Sequence, residues 1–350
     1  MASLRVNGNL LLGLVNEMYR LPFAISLDKT NDLLKTLELE FKLDIEERSI
    51  AEKLLKSNLP PLVRPQMISY MFGISYNLIL VMSIYQNNYY RVYKIPKAGH
   101  KFRQIEAPRR FLKLVQRWIY DYMLSPVSLP SEVHGFTPKK DIFTNARPHL
   151  GAKNIMVIDI KDFFPSIKKK SVRRVFKELG FPRKVSMRLT GLCTFDGRLP
   201  QGAPTSPALA NIIFSPIDTE LVQIAKEWGC EYTRYADDLV FSGNMKFTIK
   251  EKTRIVKLIE ESGFKINKKK SRIIGSGGRQ IVAGIVVNQK GLPPRNKRMK
   301  WRATFHQASL NPEKYKENGL TLMGIASFVN RYNSNLAIKY KQIAQKIIEA

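Results

Sequence analysis

The chain has 350 residues, 44% of them hydrophobic, and carries 58 Lys and Arg against 29 Asp and Glu, a net charge of +29. With two cysteines, Cys193 and Cys230, at no metal-site spacing, the composition excludes a disulfide-stapled scaffold; it reads as a cytoplasmic protein with reduced thiols and a self-sufficient core. The positive excess is spread along the chain rather than gathered in a tail, and it calls for a polyanionic partner: nucleic acid first, an anionic membrane surface second.

The N-terminal Met1 to Arg5 leads into a short apolar run broken by Asn9, Asn16 and Glu17, a poor signal peptide. Residues 1–90 read as helical, with Leu33, Leu34, Leu37, Leu39 and Phe41 among charges, and Pro60, Pro61 and Pro65 as breaks. The longest apolar stretch, Tyr70 to Tyr85, contains Asn77 and several Ser and falls short of the roughly 18 clean residues of a membrane span. It is expected to be a buried helix, with no membrane partner. Residues 91–108 predict a hairpin turning at Ala98-Gly99 and carrying Lys97, Lys101 and Arg103. Residues 109–124 predict an amphipathic helix whose aromatics, Phe111 and Trp118, belong to the core. Gly135 marks a turn. His149 has no His or Cys neighbour in sequence, so a hydrogen-bonded structural role outweighs a metal.

Chemistry enters with two acidic sites. Ile155-Met-Val-Ile158 is a short apolar run that ends on Asp159, as a buried strand delivering a carboxylate would. Thr233-Arg-Tyr-Ala-Asp-Asp-Leu-Val-Phe-Ser242 reads as two β-prone runs with Asp237-Asp238 at the tip between them. Adjacent carboxylates on a tight tip repel each other unless a cation sits between them, and carboxylate oxygens suit a hard divalent ion. Three carboxylates from two strand ends can hold two magnesium ions for phosphoryl transfer. Residues 167–193 read as helical, with Lys168, Lys169, Lys170, Arg173 and Arg174 forming a solvated face or a contact with a phosphate backbone. Gly197 to Pro207 is a Pro-rich turn leading into a helix that begins near Ser206 or Pro207. A helix over 248–262, a basic loop ending in Lys269-Lys270-Ser271, a turn at 275–278 and a strand over 281–287 follow.

In order, these motifs resemble reverse transcriptases. Tyr235-Ala-Asp-Asp238 resembles their YxDD box, Asp159 with Phe163-Phe164 their first catalytic motif, and Leu199-Pro-Gln-Gly-Ala-Pro-Thr-Ser-Pro207 their LPQG motif. Asn145-Ala-Arg-Pro-His149 is similar to the NAxxH box of bacterial retron reverse transcriptases, while their VTG box reads Val282-Ala283-Gly284 here. The resemblance covers residues 90–290. It implies an α+β right-hand polymerase with an antiparallel palm sheet: a helical N-terminal lobe over 1–90, fingers and palm over 91–280, and primer grip and helical thumb over 281–350. It implies RNA-directed DNA polymerase activity with two Mg2+ ions on Asp159, Asp237 and Asp238, and dNTPs as substrates.

The resemblance further implies that Lys97 and Arg103 grip the triphosphate. Phe164 would lie under the sugar and favour deoxynucleotides, Gln201 would touch nucleotide and template, and Lys270 would donate a proton to the leaving pyrophosphate. Asn145 and His149 would handle the enzyme's own RNA. Arg295, Lys297, Arg298, Lys300 and Arg302 would recognise its stem-loop. A retron enzyme would prime from a guanosine 2′-hydroxyl in its noncoding msr-msd RNA, make branched msDNA, and serve antiviral defence beside an effector protein. Two alternatives stay open: another bacterial reverse transcriptase, group II intron-like or defence-associated, and an RNA-binding scaffold with a vestigial site.

Overall fold

The structure is a computed structural model and describes residues 30–97 and 101–349. In chain order the helices and strands begin with α1 (Thr30–Phe41), α2 (Ile45–Lys56), α3 (Pro65–Phe72), α4 (Tyr76–Ile84), β1 (Tyr90–Lys97), β2 (Lys101–Pro108) and α5 (Arg110–Ile119). There follow α6 (Ile142–Ala146), β3 (Asn154–Lys161), α7 (Phe163–Ser166), α8 (Lys169–Glu178), α9 (Arg183–Cys193) and α10 (Ser206–Glu227). The remainder is β4 (Glu231–Tyr235), β5 (Asp238–Gly243), α11 (Ile249–Glu261), β6 (Lys265–Ile266), β7 (Arg272–Gly275), β8 (Ile281–Val282), β9 (Ile285–Val286), α12 (Arg295–Leu310), α13 (Gly319–Val329) and α14 (Ser334–Glu349). Two compact units are built from these. One takes the described residues up to Pro130 with Ile160–Thr219 and Ile259–Lys265; the other takes Ser131–Asp159, Glu220–Leu258 and the described residues from Ile266 on.

In the first unit the expected single helix over Tyr70 to Tyr85 is two. Gly73 stops α3 in the left-handed conformation (φ 58), and Ser75 caps α4 by accepting from the Leu78 N–H at 3.3 Å. The two helices meet at 112°, and no single described helix is long and apolar enough to cross a membrane. The sequence puts Phe111 in the core, but it is exposed while Trp118 is buried: Phe111 lies off the face of α5 that carries Leu112, Val115 and Ile119. The β1–β2 hairpin forms as expected, pairing Ile95 with Arg103 and Lys97 with Lys101; its Ala98-Gly99 turn lies outside the described residues. The Pro-rich turn is tied to β2. Arg198 donates to both carboxylate oxygens of buried Glu106, at 2.8 and 2.7 Å, and the Glu106 N–H donates to the Gln201 carbonyl at 2.8 Å. Burial works against the Glu106 charge, but the hydrogen bonds from Arg198 and Gln104 hold its carboxyl below the usual range.

The second unit is organised on an antiparallel sheet, in which β5 lies between β4 and β3 while β7 pairs with β3. The inner position of β3 explains why Ile155-Met-Val-Ile158 is apolar without alternation: both faces are buried. Residues that pair across strands share a face, so Ile155, Val157 and Asp159 line one side with Ser242, Val240 and Asp238. On that side Val157 and Val240 pack against Ala146, Val282, Ile285 and Val287. The expected strand over 281–287 is instead the tight β8–β9 hairpin. Val282 pairs with Ile285, leaving Ala283 (φ 46) and Gly284 (φ 83) as a two-residue turn that needs positive φ at both positions. Helices α12, α13 and α14 close a separate core, in which Phe305 stacks on Tyr340 with ring centres 3.8 Å apart.

Candidate active site

The register of β4 on β5 decides where the acid pair goes. Tyr235 pairs with Asp238, so the turn is Ala236-Asp237 and Asp238 is the first residue of β5. Ala236 takes a left-handed conformation (φ 57), normally a glycine position and costing about 1–2 kcal/mol in an L-residue. The surroundings hold it there. Buried Arg234 donates from Nη1 to the Ala236 carbonyl at 3.1 Å, and the His134 N–H donates to the Arg234 carbonyl at 2.8 Å. Gly135 passes so close that a Cβ on it would lie 2.4 Å from the Ala236 nitrogen. The sequence marks Gly135 only as a turn; its reason is this close approach.

Asp159 is 2% exposed and stands directly across from Asp238. Both of its backbone groups are held by the loop after β6. The Asp159 N–H donates to Ser271 Oγ at 3.1 Å, and its carbonyl accepts from the Asn267 N–H at 2.8 Å. The same loop presents Lys270, whose Nζ lies 2.6 Å from Asp159 Oδ2. Its hydrogen bond to Asp159 pushes the Lys270 ammonium above its ordinary range. Burial, then the charges of Asp237 and Asp159, push Asp238 up to about 7, and Lys270 opposes the rise. Three carboxylates therefore compete for positive charge at one strand end.

The Asn145 to His149 segment lies beneath this tip on the same sheet face. His149 is buried and its ring bridges the two strands, with Nδ1 2.6 Å from Ser242 Oγ and Nε2 2.7 Å from Thr233 Oγ1. Burial holds its pKa near 3, so it stays neutral, with one ring nitrogen donating and the other accepting. Asn145 is buried too, and among the described residues neither side-chain Oδ1 nor Nδ2 has a partner. Both side chains are buried, and His149 braces the hairpin.

The reverse transcriptase (RNA-dependent DNA polymerase) family profile matches residues 95–314. The retron Mx65 reverse transcriptase of Myxococcus xanthus is 32% identical over 309 residues, covering 81% of this chain and 72% of the relative. The retron Ec86 reverse transcriptase of Escherichia coli is 39% identical over 221 residues, 62% of this chain and 69% of the relative. The chain belongs to the retron reverse transcriptases. Its activity is RNA-directed DNA polymerisation, and its fold is the family's α+β right-hand polymerase with an antiparallel palm sheet. Among solved structures, a Candida albicans telomerase in complex with a fragment of telomeric RNA matches at TM-score 0.41 and 12% identity, over 63% of this chain and 50% of that one.

Reverse transcriptases use divalent metal ions, and the donor set here fits one. It consists of hard carboxylate oxygens, buried and mutually repelling, with a lysine ammonium drawn in to balance them. Among the described residues no three Asp, Glu, His or Cys side chains close around a common point. Asp159 Oδ2 is instead engaged by Lys270. In the first unit, Phe163 is core, packed against Phe214 and Phe264, whereas Phe164 is half-buried. Arg103 is exposed on β2, and Gln201 is held through its carbonyl. The side chain of Lys97 lies outside the described residues. In the second unit, Arg295, Lys297, Lys300 and Arg302 are exposed on α12; Lys297 lies 5.0 Å from the Trp301 ring centre, and Arg298 donates to the Pro293 carbonyl at 3.0 Å. Sequence reasoning missed Arg234 and Ser271. A charged residue inside a β-prone run was the available signal for the first, and none marked the second.

Proposed function

We propose that this reverse transcriptase copies its own noncoding msr-msd RNA into branched msDNA, primed from a guanosine 2′-hydroxyl, with two Mg2+ ions at Asp159, Asp237 and Asp238. The observation that carries the metal assignment is the pairing of Asp159 with Asp238 across two strands, one residue from Asp237 in the turn. Magnesium held there by Asp159, Asp237 and Asp238 would make the primer hydroxyl more acidic and neutralise the triphosphate. The chain's own groups do the rest. Lys270 holds a proton at Nζ beside Asp159, available to the departing pyrophosphate. Arg103 and Lys97 offer phosphate contacts, Arg103 through its planar fork. Gln201 positions nucleotide and template, and the Phe164 ring excludes a 2′-hydroxyl. Arg295, Lys297, Arg298, Lys300 and Arg302 make the first helix of the thumb strongly basic, for an RNA stem-loop, in a division of residues 1–90 as helical lobe, 91–280 as fingers and palm, and 281–350 as primer grip and thumb. An effector protein and a role in defence against phage complete the reading, supported by the family alone. Sequencing the nucleic acid that copurifies with the protein tests it: a branched RNA–DNA hybrid is expected, and RNA with no attached DNA would contradict it.

A further inference from the structure

One basic cluster takes no part in the site above. Lys170, Arg173, Arg174 and Lys177 recur at i, i+3, i+4 and i+7 on α8 and so share one face, opposite the face that buries Val172, Val175 and Phe176. With Arg183 of α9 they line an open cleft of about 970 Å3. Its one acid is Glu178, paired with Arg174 at 3.7 Å, and its other lining side chains are serines. Like charges at helical spacing destabilise a helix unless a counter-charge relieves them, and one exposed acid does not balance five cations.

We infer that this cleft is a docking site for the phosphate backbone of double-stranded RNA, a second contact with the enzyme's structured RNA. The chemistry of the lining makes the choice. No aromatic ring lines it, so it has no platform for stacking unpaired bases. No apolar side chain lines it, so it has nothing to insert into a lipid surface. Four cations along about 10 Å of helix face a length over which a duplex carries about six phosphate charges. Duplex RNA is bound largely through shape and phosphates, which a polar basic groove supplies. The inference rests on the reading of the chain as a polymerase that holds its own folded RNA.

The test is the salt dependence of binding to a labelled RNA hairpin with a stem of about 16 base pairs. It compares the wild type with Lys170→Gln/Arg173→Gln/Arg174→Gln/Lys177→Gln and with the milder Lys170→Gln/Lys177→Gln, each checked for an unchanged melting curve. The quadruple variant is expected to lose about 3 from the slope of log K against log salt and at least about tenfold in affinity at moderate salt, and the double variant about half that slope. An unchanged slope and affinity in both variants overturns the site, as does loss of binding to phosphatidylserine vesicles while hairpin binding persists. Extension of a short annealed primer-template by the wild type is measured separately; its absence would sink the polymerase reading, while the hairpin slope still decides the cleft.

Discussion

His149 ties together β4 and β5, the two strands that hold Asp237 and Asp238 at their tip, and it does so as a neutral ring between two hydroxyls. Unfolded, an imidazole titrates near 6.5; folded, His149 titrates near 3 and His134 near 4, in both cases chiefly through burial. The unfolded chain therefore binds more protons between those values, and stability falls as pH drops through that window. The expected slope is up to about 1.4 kcal/mol per pH unit for each histidine, read from urea midpoints between pH 6.5 and 4.5. His149→Phe should flatten the slope and cost about 1–3 kcal/mol, because it strands the Ser242 and Thr233 hydroxyls. Asp238 works in the opposite sense. A carboxyl raised to about 7 is costly to ionise in the fold, so Asp238→Asn should raise the melting temperature of metal-free protein at pH 7.5 while abolishing extension. At this scale the sequence displayed the acids, since adjacent carboxylates between β-prone runs are rare without a purpose. It did not display Ser271 or Arg234, whose roles depend on which backbone groups folding brings beside them.

The β4–β5 hairpin was legible as an element, because two β-prone runs, Tyr232 to Tyr235 and Leu239 to Phe241, flank the acid pair. Its register was not. Pairing of Tyr235 with Asp238 puts one acid in the turn and the other in the strand, and a glycine about a hundred residues upstream in sequence makes room for the strained Ala236. Gly135→Ala should therefore push the tip aside. Extension is expected to fall at least about tenfold with little change in helix content, since small displacements of catalytic groups cost rate heavily; an unchanged kcat would mean that the tip tolerates the shift. The β8–β9 hairpin shows the opposite limit. A run such as Ile281 to Val287 reads as one strand by propensity, and only the positive φ values of Ala283 and Gly284 reveal the turn. The break between α3 and α4 was signalled by Gly73 and Ser75, but continuous apolarity on both sides masked it.

At the scale of the whole molecule, a net charge of +29 is the broadest signal in the chain, and the family's need for a nucleic-acid partner accounts for it. The two compact units interleave segments far apart in sequence, for which reading along the chain offers no local cue. What joins the distant motifs is chemistry: Asp159 and Asp238 meet across a strand pair, and Lys270 arrives from the loop that also holds the Asp159 backbone. The most direct measurement is extension of a DNA primer on an RNA template with dNTPs and magnesium, comparing wild type with Asp237→Asn/Asp238→Asn. DNA synthesis that requires magnesium in the wild type, and a loss of at least about a thousandfold in the folded variant, is the expected result. Synthesis of equal rate by the variant would contradict the assignment of these carboxylates.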